Sequence, residues 1–518
     1  MSPNPPTENE IIVANVSDLA MREETQQVKD TGMYAKFSSV VLITIVLCLA
    51  TFARIYPLTS CASQPAFGKI YTLFSSKFVF VASLLIFEIG SVVCATLPNS
   101  PDFILGRALA GLGSAGIQAG TTLILAECVP LRQRPTWNSI IGSIFAVWSV
   151  AGSLLGGAFS DSTTWRWCFY INLPIGGAVM IFIASFYDGS RGRKNISNST
   201  GFSSQVARFD LAGTFTFMSA TISLPLALSW CGTTYTWGIT RIVALLTLAG
   251  VLFCSFFGIE YRMKDSAIIP SRLLRRRSII AAIWFASVFE GALVSISPSC
   301  LCHQVFHSVH SIHNQCRWRI YVCWLWTAAT GYYTPFVYAG SIIMPISTGL
   351  LMAVQPQYNS RAKWVRFQIL IGAGVGLGEE QGLYMVQTTL PEIDVATGIS
   401  IILFAQIFGV ALFVPVAQEI FLENISKALR TLAPNLDPHS VLDGAMTAFP
   451  GDYSTETSAE LQSVYGVATK EALRVGLLLA TISIVGALMY DWKSLKTKHN
   501  KRSDERNSDN KLDQFAGV

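Results

Sequence analysis

Apolar residues in this chain gather into runs of roughly 18 to 25, the length at which a helix crosses a bilayer. Read for such runs, the sequence predicts spans at 38–54, 55–68, 79–97, 103–128, 138–159, 166–187, 211–231, 240–260, 278–297, 318–331, 333–354, 367–388, 397–420 and 471–490. Two are weak: 55–68 is too short for a hydrocarbon core of about 30 Å, and 318–331 is short and contains Arg319. The remaining twelve describe an all-α polytopic membrane protein.

The polar connections set an orientation, because Lys and Arg near helix ends are retained on the cytoplasmic side. Loop 188–209 carries Arg191, Arg193, Lys194 and Arg208, and loop 261–277 carries Arg275, Arg276 and Arg277. The tail 492–518 begins with Lys493, Lys496 and Lys498. With fourteen crossings these segments and both termini fall inside, and the polar stretch 421–469 falls outside as a loop. Arg361, Lys363 and Arg366 then lie outside, against the rule. Asn195 and Asn198 open sequons on an inner loop, where no glycan is expected, which leaves Asn424 as the candidate acceptor. Residues 1–36 are polar and of mixed charge, without the apolar core of a secretory signal, and read as a disordered cytoplasmic tail.

Composition agrees. Of 518 residues 51% are hydrophobic and 13% charged, and mean hydropathy is +0.45. The net charge of +5 sits in the connections, a pattern of cytoplasmic loops and not of a nucleic-acid surface. The 11 cysteines are scattered singly through apolar stretches, as at Cys48, Cys94, Cys168 and Cys254, and read as small buried hydrophobes. No phosphate-cradling glycine loop followed by Lys-Ser or Lys-Thr is present, nor a Gly-x-Ser-x-Gly elbow, so neither ATP-driven export by this chain nor hydrolase chemistry is supported. No cofactor or obligate protein partner is inferred.

The most specific local pattern is Arg107-Ala-Leu-Ala-Gly111-Leu-Gly113-Ser-Ala-Gly116 in the fourth span. Small residues three to five apart give a helix a flat face that admits a neighbouring backbone. Plain helix packing explains the glycines, whereas an intramembrane arginine is costly and points to a watery cavity or an acidic partner. The fifth span holds Gly152-Ser153-Leu-Leu-Gly156-Gly157, and the sixth opens on Trp165-Arg166-Trp167-Cys-Phe-Tyr-Ile-Asn172-Leu-Pro174-Ile-Gly176.

These stretches resemble the major facilitator superfamily, in its fourteen-helix drug:proton antiporter branch of fungi. The arginine-glycine helix is similar to the family's motif B, the Gly152–Gly157 helix to motif C, and the Trp-Arg-Trp stretch to a branch marker. The loop from Gly68 to Lys77 resembles motif A, and the likeness runs from about residue 56 to 298 and from about 328 to 493. The resemblance implies a major facilitator fold: helical halves at 37–187 and 278–420, two inserted helices within 210–260, and a last span at 470–491. It also implies alternating access to a midplane site and export of an amphipathic drug, toxin or secondary metabolite against entering protons. Arg107 would inherit a part in proton coupling, and Gly152, Gly156 and Gly157 one in antiport direction. The implied location is the plasma membrane, with an internal membrane as the alternative.

A carboxyl in low dielectric can carry a proton at neutral pH. Glu88, Glu290, Glu379 and Glu380 are the candidates, while Glu127, near the inner end of its helix, reads as solvated. Glu379 and Glu380 follow the glycine-rich Gly372–Gly378, and neighbours about 100° apart cannot both line a cavity. Trp284, Phe285 and Phe289 read as cavity wall or as lipid contact.

Three departures from the family pattern stand out. About thirty residues between the first two helices are missing where Arg54-Ile55 meets Tyr56-Pro57, and Ser153 replaces the proline of motif C, removing a fixed bend. Residues 299–327 break the likeness and hold Cys300, Cys302, His303, His307, His310, His313 and Cys316. Their spacing lacks the paired ligands of a zinc site, and a frame shift or retained intron accounts for them better. The function expected is proton-coupled efflux. The rivals are a facilitated carrier or importer of the same fold and a degenerate protein that no longer transports.

Overall fold

The structure is a computed structural model, and it describes residues 44, 58–131, 133–187, 209–231, 238–263, 267–305, 332–353, 361–432 and 455–492. The first span (Thr44 apart), the short segment 318–331 and most of loop 188–209 lie outside the described residues, as do both tails.

Helices α1 (Leu58–Leu73), α2 (Ser76–Thr96), α3 (Ser100–Cys128), α4 (Arg134–Ser162), α5 (Trp167–Tyr170) and α6 (Asn172–Phe186) form the first half. Helices α7 (Leu211–Trp230) and α8 (Thr240–Met263) follow. Helices α9 (Ser271–Leu274), α10 (Arg277–Val305), α11 (Thr334–Ala353), α12 (Arg361–Gly378), α13 (Gln381–Thr389), α14 (Glu392–Leu432) and α15 (Thr455–Leu488) make the second half. Nine spans among the described residues are long and apolar enough to cross a membrane, so the chain is a multi-pass membrane protein.

Glycine sets the register of the first half. Antiparallel α2 and α3 run so close that Gly106 faces Cys94, Gly90 faces Ala110, Gly113 faces Phe87, Gly116 faces Ser83 and Gly120 faces Phe80. A Cβ added to Gly113 would lie 2.5 Å from the Phe87 backbone nitrogen, which no side-chain rotation relieves. Gly116 serves a second neighbour as well: its carbonyl accepts from the Tyr71 hydroxyl of α1 at 2.8 Å. In the second half Gly340 of α11 crosses α12 at Gly374 and Gly378, and Gly291 of α10 meets Phe413 of α14.

The pair α7–α8 docks between the halves. Phe217 of α7 meets Phe256 of α8 at 4.8 Å and Phe404 of α14 at 5.0 Å, ring centre to ring centre. Asp210 caps α7 by accepting from the Gly213 N–H at 2.7 Å, and Glu260 holds the turn after α8 by accepting from Ile268 N and Ile269 N.

Several boundaries move. The short segment at 55–68 falls on helix α1, whose described part is Leu58–Leu73 and is buried on nearly all sides. The stretch 421–469 is not one loop: α14 continues to Leu432, and α15 begins at Thr455. At 41 residues α14 is about 62 Å long, so it must project well past the hydrocarbon. Ile425, Leu429, Val464 and Ala468 are buried in these extensions, an apolar spacing hidden within a polar sequence. Asn424 lies inside α14 with its amide donated to the Ile420 carbonyl at 2.7 Å, not on a loop.

Replacing Gly113 by leucine inserts a side chain against backbone, and overpacking of this kind costs about 1–3 kcal/mol or more. We expect G113L to give little monodisperse protein on size exclusion, whereas Gly250→Leu, which faces open space on α8, purifies like the parent.

Candidate functional site

Glu88 sits midway along α2, only 8% exposed, with both carboxylate oxygens buried and unpartnered. The absence of a Cβ at Gly176 on α6 makes its room, since an added Cβ there would collide with Glu88 Oε1. One turn along, Asn172 Nδ2 donates to Ser91 Oγ at 3.4 Å, so a polar strip runs between α2 and α6. Asn172 of the branch marker and Gly176 just beyond it thus build the setting of Glu88. Ahead of them Trp165 stacks edge-on against Phe103 and Phe169, with Arg166 over its ring at 5.4 Å.

Arg107 is half-buried on α3 and forms no hydrogen bond or ion pair with the described residues; Glu88 is not its partner. Gly111, Gly113 and Gly116 are buried in helix packing. At motif C, Gly152, Gly156 and Gly157 of α4 have no atom of the described residues within 4 Å of an added Cβ. The side chain of Ser153 lies outside the described residues.

Glu127 is not solvated. It is half-buried, accepting from Ser76 Oγ at 2.6 Å and from the Tyr187 hydroxyl, which ties together the ends of α2, α3 and α6. Gly68 also has a task. Its added Cβ would fall 2.7 Å from Ser400 Cβ and 3.1 Å from Thr397 Cα, so α1 of the first half crosses α14 of the second at this glycine. Lys77, at the other end of the same motif, is half-buried.

Two further contacts join the halves at the same basic end. Arg134 Nη1 donates to Gln387 Oε1 at 2.9 Å, and Asn138 Nδ2 donates to the Tyr384 hydroxyl at 3.3 Å. The arginine is braced by the carbonyls of Val129 and Ala126, which accept from Nε and Nη2. Sequence reading missed all four partners. Arg134 was not singled out, and its bracing by carbonyls follows only from the turn between α3 and α4.

The helix expected at 367–388 is broken. α12 ends at Gly378, Glu379 and Glu380 occupy a turn, and α13 starts at Gln381. Glycines at alternate positions weaken a helix by up to about 1 kcal/mol each, and a carboxylate at a helix start is favoured by the dipole, so the break falls where the sequence invites it. Both glutamates are half-buried, and Gln406 Nε2 of α14 donates to the Glu379 carbonyl at 3.1 Å. Glu290 is half-buried on α10.

The cavity-wall reading of Phe285 and Phe289 is overturned as well. Both are 1% exposed and stacked at 4.9 Å, Phe285 against Tyr490 and Phe289 against Gly378, in the packed interior of the second half. Trp284 is 46% exposed on the outer face of α10. The side chains of the Cys300–Cys316 run lie outside the described residues.

Two halves of membrane helices, joined at the basic end among the described residues and with a broken helix in the second half, have the architecture of a membrane transporter. Residues 35–413 match the family model of the Major Facilitator Superfamily, and the chain belongs to that family. It is 36% identical over 456 residues to the efflux pump roqT of Penicillium rubens, covering 86% of this chain and 84% of the relative. It is 37% identical over 467 residues to the MFS-type efflux pump MFS1 of Arthroderma benhamiae, with 86% and 84% covered. The fold is similar to that of the human organic anion transporter MFSD10, at TM-score 0.51 and 12% identity over 85% of this chain and 83% of that one.

Removing the Arg134 guanidinium takes away a charge-assisted hydrogen bond across the seam, a loss of about 1.5 kcal/mol. We expect Arg134→Ala to raise labelling of a Thr388→Cys reporter by a membrane-impermeant maleimide roughly tenfold, from the basic side only.

Proposed function

We propose that this chain is an efflux transporter that exports a small amphipathic molecule by proton antiport with alternating access, and that it works in the plasma membrane. The observation that carries the reading is an asymmetry. Among the described residues the halves are bridged at the basic end by Arg134–Gln387, Asn138–Tyr384 and the Gly68–Ser400 crossing, while nothing lies within 4 Å of a Cβ added at Gly152, Gly156 or Gly157 of α4. A seam closed at one end by a few replaceable hydrogen bonds is what rocking between two accesses requires. The names of the relatives support the direction of transport, outward.

For the proton, Glu88 is the leading group. A carboxylate without a counter-charge is expensive in a low-dielectric interior, so the neutral acid is the form such a site holds cheaply. Its place beside Gly176 couples any change of charge to the α2–α6 contact. Glu379 and Glu380 stand at a break where two helix ends meet, the second place where a proton can be exchanged within the span. Arg107, half-buried and without a partner among the described residues, is the candidate cation of the coupling.

The absence of the motif C proline at Ser153 favours a second reading, carriage without proton exchange. The two are separated in proteoliposomes loaded with rhodamine 6G under an imposed pH gradient. Gradient-driven accumulation is expected for the parent and at least a tenfold loss for Glu88→Gln, with counterflow at zero gradient retained. Parent flux indifferent to the gradient establishes the carrier instead, and full gradient-driven flux in E88Q removes Glu88 from the coupling.

A further inference from the structure

The corner between α13 and α14 is gripped from two sides. From the first half, Asn138 and Arg134 reach Tyr384 and Gln387 on α13, and the Gly68 crossing meets Thr397 and Ser400 on α14. From the second half, two arginines of the segment leading into α10 take hold between those points. Arg276 Nη1 donates to the carbonyl of Thr389, the last residue of α13, at 3.3 Å. Arg272 Nη2 pairs with Asp394 Oδ1, in the first turn of α14, at 2.7 Å. Thr389 stands two residues from Gln387, and Asp394 one turn from Thr397. The segment bearing the arginines is itself fixed. Glu260 of α8 accepts from Ile268 N and Ile269 N, Ile268 and Leu273 are each 1% exposed, and α10 starts at Arg277.

The two grips differ in strength. Arg134 and Asn138 end on a neutral amide and a phenol, whereas Arg272 holds a carboxylate whose side chain is 7% exposed. A buried carboxylate is costly to leave without its cation, and it binds a guanidinium more strongly than an amide does. The corner therefore stays with α10 when the seam opens, and the bonds that break are those to Arg134 and Asn138. Without the two arginines the corner follows the first half part of the way, and the seam opens less.

We propose that Arg272 and Arg276 are positioning residues for transport: they hold the α13–α14 corner to α10, so that the seam parts at Arg134 and Asn138 when access changes. The assignment rests on the alternating-access reading and deepens it. Both arginines act through the corner, at Asp394 and Thr389. The inserted pair gains a task as well, since Glu260 of α8 fixes one end of the gripping segment while α10 fixes the other.

The test uses the full-length protein in proteoliposomes and two readouts. One is labelling of the Thr388→Cys reporter by an impermeant maleimide from the basic side, less that of the same variant without the reporter, which requires no flux. The other is gradient-driven flux of rhodamine 6G. We expect Arg272→Ala and Arg276→Ala each to lower reporter labelling roughly threefold, whereas removal of an arginine that only stabilised the corner would loosen it and raise labelling. Flux is expected to fall roughly tenfold in both. Adding Arg134→Ala to either variant is expected to bring labelling and flux back close to the parent level, while the melting temperature drops below that of either single variant. Recovery of function against a falling melting temperature is not given by a purely structural role. Arg276 bonds an exposed carbonyl, so Arg276→Ala carries the test should Arg272→Ala, which strands a buried carboxylate, fail to fold. Unchanged or raised labelling in Arg276→Ala, or losses that add in the double variants, overturns the proposal. A parent without flux but with the expected labelling pattern keeps the positioning role and rejects efflux; parent flux with unaltered labelling in the variants does the reverse.

Discussion

Lipid tails are as apolar as leucine, so two membrane helices gain nothing by hiding leucine from them, and close contact has to hold the bundle together. Glycine supplies that contact at crossing after crossing. From Gly106 to Gly120 the α2–α3 pair is an unbroken ladder of glycine or alanine against backbone or ring. The same device recurs at Gly340, Gly374 and Gly378 within the second half and at Gly68 between the halves. Dispersion falls off steeply with separation. A single Cβ at one of these crossings therefore removes the contact and does not merely loosen it.

Polar contacts are confined to where they can be undone. Glu127 fastens the ends of α2, α3 and α6 to one another, and Asp491 does comparable work in the second half. Its carbonyl accepts from Tyr333 at 2.9 Å and Thr334 at 3.1 Å, and its carboxylate from Ser278. These bonds lie inside a half and make it a rigid body. Those between halves, from Arg134 and Asn138, are fewer and end on neutral acceptors, Gln387 and Tyr384. A neutral acceptor matters: a carboxylate in place of Gln387 would hold the arginine far more strongly in a partly buried seam. Among the described residues the polar bonds within each half thus outnumber those across the seam, as the alternating access proposed above requires.

Much of this was legible in the sequence for a plain reason. Spans announce themselves because the bilayer forces apolar residues into runs, and Arg107–Gly116 announces a packing face because small residues repeat at helical spacing. Partnership was not legible. Nothing local distinguishes Glu127, which three helix ends share, from a solvated carboxylate, and nothing local tells that Phe285 and Phe289 turn inward while Trp284 turns out. The break at Glu379 was half visible, since the glycine run that weakens α12 was noted, but an apolar run of helical length does not reveal that its helix stops and restarts. The apolar spacing of Ile425, Leu429, Val464 and Ala468 was masked by the polar residues around it, so two helical extensions read as one loop.

The break between α12 and α13 and the crossing at Gly68 meet on α14. Gln406 of that helix binds the Glu379 carbonyl, Ile402 packs over Gly382 just past the break, and Ser400 lies against Gly68. Residues 400 to 406 therefore touch, within two turns, the carboxyl-bearing break and the seam. A helix is stiff over so short a distance, so a shift of α14 at the crossing cannot leave the break where it was. Protonation at Glu379 or Glu380 alters the charge at the start of α13, which the helix dipole opposes. That free-energy change acts on a helix end only one turn from Tyr384, which belongs to the bridge with Asn138. The proton antiport proposed above would need no long pathway in this fold, because a single short helix, α13, follows the carboxyls at its start and carries the inter-half contacts of Tyr384 and Gln387 along its length.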